Sequence, residues 1–187
     1  PVGWISKIVK WPFSFAWMQG AMSLELIKNR PSLFFVPSQG LPRRLPFFGY
    51  TIITTINDVG FKRFPKLYSN SNRKRLMSST KRAIKSSKHL FTISEFSKNE
   101  IIDLFHVNEK KLSVTHLAAD ASVFKKLTKN EIDPVLNKYR LGHNFFLVVG
   151  RMEKKKNTDM IIRAFEQFKS SRGLGDPYEL VLVGTSG

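Results

Sequence analysis

Apolar residues along this chain fall into short blocks separated by polar, cation-rich stretches. Leu33-Phe-Phe-Val36, Thr51-Ile-Ile-Thr-Thr-Ile56, Leu90-Phe-Thr-Ile93, Leu112-Ser-Val114, Phe145-Phe-Leu-Val-Val149 and Leu180-Val-Leu-Val183 are short runs rich in β-branched and aromatic residues. That is the pattern of strands, and the continuous apolar ones read as buried on both faces. Between them the period lengthens. Leu76, Thr80, Ala83, Ile84 and Ser87 recur at helical spacing across residues 70–87. Ile161, Ala164, Phe165 and Phe168 share one face of a helix that Asn157 is placed to cap. Residues 17–29 read as a helix closed by Pro31, and Ser97 with Glu100 forms a capping-box pattern opening a helix over 98–105. Gly40, Pro42 and Pro46, and later Gly173, Gly175 and Pro177, punctuate the loops. Strand alternating with helix predicts an α/β fold with parallel sheets covered by helices.

Residues 118–134 are polar and weakly patterned, so the chain is divided into a first domain over 1–120, a linker over 121–138 and a second domain over 139–187. No tandem repeat is evident. The chain opens on Pro1 and stops at Gly187 close behind an apolar run, and it is expected to be an internal piece of a longer protein. A hydrophobic fraction of 42% in 187 residues is enough to fold around a core. The absence of cysteine excludes disulfides, a cysteine nucleophile and thiolate zinc sites, and leans toward a reducing compartment. His89, His106, His116 and His143 lack metal-ligand spacing, so no metal site is expected. The longest uncharged run, residues 11–24, is too short to span a bilayer. Trp4, Ile5, Lys7, Ile8, Lys10 and Trp11 suit either a membrane surface or an ordinary amphipathic helix with one buried face.

Charge changes the picture most. Lys and Arg number 31 against 14 Asp and Glu, a net +17, which calls for an anionic partner: nucleic acid, anionic lipid or a phosphorylated substrate. In open parallel sheets ligands bind beyond the carboxyl ends of strands. Four such ends are polar here: Asn57-Asp58, Ser94-Glu95, Gly150-Arg151 and Gly184-Thr185-Ser186. The third runs on as Gly150-Arg-Met-Glu-Lys-Lys-Lys-Asn157. Gly150 allows a tight turn, Arg151 offers a planar fork to phosphate oxygens, and Lys156 stands directly before a helix start whose dipole favours anions. A diphosphate fits that convergence. On spacing alone, a solvated basic loop fits it equally. Asp58 reads equally as a loop or helix-capping carboxylate, and Ser94 as a helix-start residue.

Five blocks stand in a telling order. They are Thr54-Thr-Ile-Asn-Asp-Val-Gly-Phe-Lys-Arg-Phe-Pro65, Thr92-Ile-Ser-Glu-Phe-Ser-Lys98, Leu112-Ser-Val-Thr-His-Leu-Ala-Ala-Asp120, Val149-Gly-Arg-Met-Glu-Lys-Lys-Lys-Asn157 and Leu182-Val-Gly184. Their order and spacing resemble family-4 glycosyltransferases, especially mannosyltransferase-like members, over nearly the whole chain. The resemblance implies a GT-B fold, with parts of two Rossmann-like domains facing across a cleft. It implies retaining transfer of a hexose from a GDP- or UDP-linked sugar to a glycan or lipid-linked acceptor, without a cofactor or catalytic metal. By the same resemblance Gly150, Arg151 and Lys156 hold the donor diphosphate, Glu153 orders the loop and Asn157 caps the helix. Asn57 and Asp58 become the candidate catalytic pair, with Ser94 and Gly184 as donor-contacting or cleft-lining residues. Where the family commonly has histidine this chain has Asn57, an amide that hydrogen-bonds but shuttles no proton. The family's Gly-rich loop would precede Pro1 and its paired glutamates would follow Gly187, so residues 1–187 alone are expected not to transfer sugar.

Two other classes of function remain at this stage. A nucleic-acid-binding protein is motivated by the charge and by the basic helix running from Arg73-Lys-Arg75 to Lys88, whose face equally suits an anionic membrane, but the aromatics lie in apolar runs rather than at stacking positions. A catalytically inactive binding module is motivated by Asn57. The resemblance favours the enzyme, cytoplasmic and peripheral at the inner face of a membrane, with a polysaccharide product and no nucleic-acid partner.

Overall fold

The β-branched runs of the first half become four strands: β1 (Leu33–Val36), β2 (Thr51–Thr55), β3 (His89–Thr92) and β4 (Leu112–Val114). The computed structural model describes residues 7–13, 16–43, 49–173 and 175–185. Trp4, Ile5, Pro46 and Ser186 lie outside the described residues. The strands pair in sequence order, every pair parallel, and Ile56 extends the second ladder by donating its N–H to the Phe91 carbonyl at 2.8 Å. They belong to a unit spanning Pro1–Ala118, and a second unit spans Ala119–Gly187.

Four helices accompany the first sheet: α1 (Ala21–Asn29), α2 (Gly60–Arg63), α3 (Asn70–Ser86) and α4 (Glu95–Phe105). The apolar face predicted for residues 70–87 lies inward, with Thr80 and Ala83 buried against Ile52, Ile56 and Leu90 of the core cluster. The buried Thr54 and Ser87 hydroxyls bond to each other, so these polar groups are satisfied without water. Two helix starts differ from the sequence reading. α1 opens at Ala21 rather than at residue 17, because the chain passes under an indole at Gly20. A Cβ there would lie 2.3 Å from Trp11 Cζ2, a space only glycine leaves. α4 opens at Glu95, capped by Ser94 and not by Ser97. Ser94 Oγ accepts the Ser97 N–H at 3.1 Å, leaving Ser97 and Glu100 inside the helix and buried. Residues 7–13 are not helical, and Trp11 and Trp17 pack on the chain itself, Trp17 Nε1 donating to the Val9 carbonyl at 2.9 Å.

The second unit holds α5 (Lys129–Tyr139), β5 (Phe145–Val149), α6 (Thr158–Arg172) and β6 (Glu179–Val183), with β5 and β6 parallel. α5 occupies ground assigned to a linker. Its Pro134 reads as a breaker, yet the Glu131 carboxylate accepts both the Thr128 N–H (2.8 Å) and the Thr128 hydroxyl (2.7 Å) to open the helix. The α6 face predicted from Ile161, Ala164, Phe165 and Phe168 does meet the sheet. Phe146 contacts Phe165 and Phe168 edge-on with centroids 6.2 and 5.4 Å apart, and stacks on Tyr178 at 5.5 Å. β5 is not the buried strand expected: Leu147 is 55% and Val149 72% exposed. Two strands cannot cover both faces of one another, so the apolar face away from α6 meets solvent.

Candidate functional site

The loops after β5 and β6 are locked together. Gly150 N donates to the Val183 carbonyl at 2.9 Å, and Met152 N donates to the Thr185 carbonyl at 3.0 Å. Gly150 has φ +152°, a region few side chains tolerate. Gly184 is required for a different reason: a Cβ on it would fall 1.8 Å from the Gly150 carbonyl oxygen. Two glycines thus let two backbones touch, and Arg151 projects from the point of contact, largely exposed.

Glu153 orders that loop. Its carboxylate takes Arg151 Nη1 at 3.1 Å and Lys155 Nζ at 3.0 Å. The Lys155 hydrogen bond, helped by the charges of Lys155, Arg151 and Lys156, holds its carboxyl below the ordinary glutamate range. Lys154–Lys156 then form one 3-10 turn, and Asn157 takes a left-handed conformation, φ +53°, before α6 begins. Asn157 therefore stands at the cap position without capping. Its side chain makes no cap hydrogen bond, and its contribution is tolerance of the left-handed backbone. Lys156 is exposed, precedes the helix start and makes no ion pair among the described residues. Chemically, the loop presents one guanidinium fork, one ammonium and the unpaired N–H groups of a helix start to an anion.

In the first unit, β2 and β3 bring Asn57-Asp58 and Ser94 to one carboxyl edge. Asn57 and Asp58 are exposed. Asp58 Oδ1 accepts the Gly60 N–H at 3.0 Å, which starts α2. Ser94 is engaged as the α4 cap, its hydroxyl also donating to Ser97 Oγ at 3.1 Å. Arg63 grips the buried Glu100 with both arms, Nε at 3.0 Å and Nη2 at 2.5 Å, while Phe61 fills the core beside it. The Gly60–Pro65 block is thus scaffold for the strand end rather than chemistry. The basic face of the residue 70–88 helix was legible in the sequence, but not the two basic grooves, of about 580 and 560 Å³, that α3 helps to form. The signal available was that residues 59–94 carry ten Lys and Arg and no Asp or Glu. No group of three or more His, Cys, Asp or Glu able to hold a metal occurs among the described residues. No helix among them is long and apolar enough to cross a membrane.

Scanned against models of known protein families, the chain matches none. Among solved structures, its fold is similar to that of a glycosyltransferase from Rickettsia africae, with a TM-score of 0.54 and 16% identity, over 96% of this chain and 54% of that one. The described residues carry two parallel-stranded, Rossmann-like α/β parts, a fold similar to that of this glycosyltransferase. In sequence the chain is similar to O-antigen chain mannosyltransferase B of Escherichia coli, 28% identical over 156 residues. That match covers 83% of this chain and 39% of the relative, so the chain spans about two fifths of the relative's length. Sequence and fold agree, and the glycosyltransferase resemblance drawn from the motifs stands.

Proposed function

We propose that this chain is part of a retaining glycosyltransferase that moves a hexose from a nucleotide sugar to a glycan or lipid-linked acceptor. Mannose from GDP-mannose is the first candidate, because the sequence relative is a mannosyltransferase of O-antigen chains. The observation that supports the reading is the loop itself: Arg151 leaves from the crossing of Gly150 and Gly184, and Lys156 follows five residues on, directly before the start of α6. In transfer, the bond between the anomeric carbon and the diphosphate oxygen breaks with its electron pair leaving on the diphosphate, the acceptor hydroxyl oxygen bonds to that carbon, and the hydroxyl proton passes to the departing diphosphate. The charge gathering on the leaving diphosphate is met by Arg151, which it shares with Glu153, by Lys156 and by the start of α6.

Acceptor binding falls to the first unit in this reading. Asn57 and Asp58 stand at a carboxyl edge, where an amide and a carboxylate orient sugar hydroxyls. The basic face of α3, with Phe64 and Leu67 exposed nearby, suits an anionic membrane surface that holds the acceptor.

Calorimetric titration with GDP and UDP tests the donor site. Arg151→Ala weakens binding by about 2–3 kcal/mol through loss of a charge-assisted fork, and Arg151→Lys recovers only part. Unchanged affinity in Arg151→Ala and in Lys156→Ala refutes the assignment. A second reading, an inactive binding module, rests on Asn57. Nucleotide binding without hydrolysis of GDP-mannose by the full-length protein selects it.

A further inference from the structure

The larger share of this chain's positive charge lies where the donor site does not need it. α3 runs back from the carboxyl edge of the first sheet, and residues 37–43 leave that same edge from β1. Between them is a groove of about 560 Å³, lined by Arg43, Lys74, Arg75, Ser78, Ser79 and Arg82 and, among the described residues, by no carboxylate. Its walls are stitched. The Ser79 hydroxyl donates to the Gln39 carbonyl, Arg82 Nη1 donates to the Leu41 carbonyl at 3.2 Å, and Leu41 is itself a core residue.

The four cations are not neutralised from within. Arg75 donates to the neutral Asn72 amide at 2.8 Å and Arg82 to a carbonyl and to Ser78, and none of the four makes an ion pair among the described residues. Like charges gathered in one concavity oppose the fold unless an anion joins them. Guanidinium forks beside serine hydroxyls match the oxygens of a phosphoryl group. We propose that this groove is an anion subsite for a phosphate or diphosphate group carried by the acceptor. The word acceptor rests on the proposed glycosyl transfer; the anion site does not. An adjoining groove shares Lys74 and Ser78 and has Pro65 and Met77 in its lining beside Lys62, Arg73 and Lys81, which places apolar carbon next to the anion.

Inorganic pyrophosphate, titrated calorimetrically into the full-length protein at low salt, is the test. With Arg151→Ala and Lys156→Ala in place to silence the donor loop, pyrophosphate still binds. Adding Lys74→Gln or Arg75→Gln then weakens it about tenfold each, the loss expected for one charged contact. Lys88→Gln removes the same charge outside the groove and leaves the affinity nearly unchanged. Loss of all binding with the donor-loop substitutions alone, or equal weakening by Lys88→Gln, overturns the proposal. So does stronger competition by a random-sequence oligonucleotide than by pyrophosphate, which reassigns the surface to nucleic acid. A geranyl diphosphate arm separates the sources. Tighter binding than pyrophosphate, removed by Met77→Ser, supports a lipid phosphate, and equal binding supports a soluble one. Failure to transfer sugar with this binding intact counts against the proposed function and leaves the groove standing.

Discussion

Gly184→Ala places one methyl group where two backbones touch. The new Cβ would start 1.8 Å from the Gly150 carbonyl oxygen and 2.7 Å from its carbon. Ordinary van der Waals contact begins at 3.4 Å, so the two strand ends must part by 1.6 Å. The Gly150 N–Val183 O and Met152 N–Thr185 O bonds, 2.9 and 3.0 Å long, bracket that contact and cannot both survive the movement. At about 1 kcal/mol net for each backbone bond, the second unit loses about 1–2 kcal/mol. Nucleotide binding loses more, because Arg151 leaves from the displaced segment and an anion fork misplaced by about 1 Å forfeits most of its advantage. The expected result is a loss of GDP or UDP affinity approaching that of Arg151→Ala, about 2–3 kcal/mol, with a smaller loss of stability. Calorimetry gives the first quantity and urea unfolding the second. Wild-type nucleotide affinity in Gly184→Ala would show that the glycine contact does not position Arg151.

Glu100→Gln removes the carboxylate that Arg63 clasps from both sides; with Arg63 half exposed, urea unfolding of the first unit should show a loss of about 1–2 kcal/mol. An unchanged midpoint would refute that contribution. Acid should loosen the second unit. Asp176 and Glu153 sit below the ordinary carboxylate range, held there by hydrogen bonds from Arg172 and Lys155. Their contribution is complete above that ordinary range and is lost as pH falls through the lower folded values, so Asp176→Asn should flatten the acid limb of a circular-dichroism titration; an identical limb would refute it. Vesicle flotation checks the membrane face: binding should need anionic lipid and fall with Lys81→Gln and Lys85→Gln. Equal binding to neutral and anionic vesicles, or none to either, removes the idea.

The strands were legible almost residue for residue, because short β-branched runs between turn signals have few other readings. Helix starts were less so, and for local reasons. Ser97 with Glu100 matches the capping-box spacing, but Ser94 sits where β3 ends and reaches the Ser97 N–H first. α5 was hidden by the weak apolar pattern of residues 118–134, although Thr128 and Glu131 stand at capping-box spacing. Of the candidate site, Gly150 and Arg151 were visible as a motif. What made Gly184 necessary was not visible, since its clash partner is 34 positions away and appears only once two parallel strands are in register. The α3 groove escaped for the same reason: Arg43 and Arg82 meet only after the chain folds back on β1.

The packing of Trp11 over Gly20 and of Trp17 against Val9 gives the protein a built-in optical label. All three tryptophans, Trp4, Trp11 and Trp17, belong to the first unit, whereas the second is built around phenylalanine rings and Tyr178. Within residues 1–187, emission excited at the red edge of the indole band therefore comes from the segment before residue 119, where Trp11 and Trp17 pack. Quenching or a spectral shift there, set against far-ultraviolet dichroism from both units, separates their unfolding without any added dye.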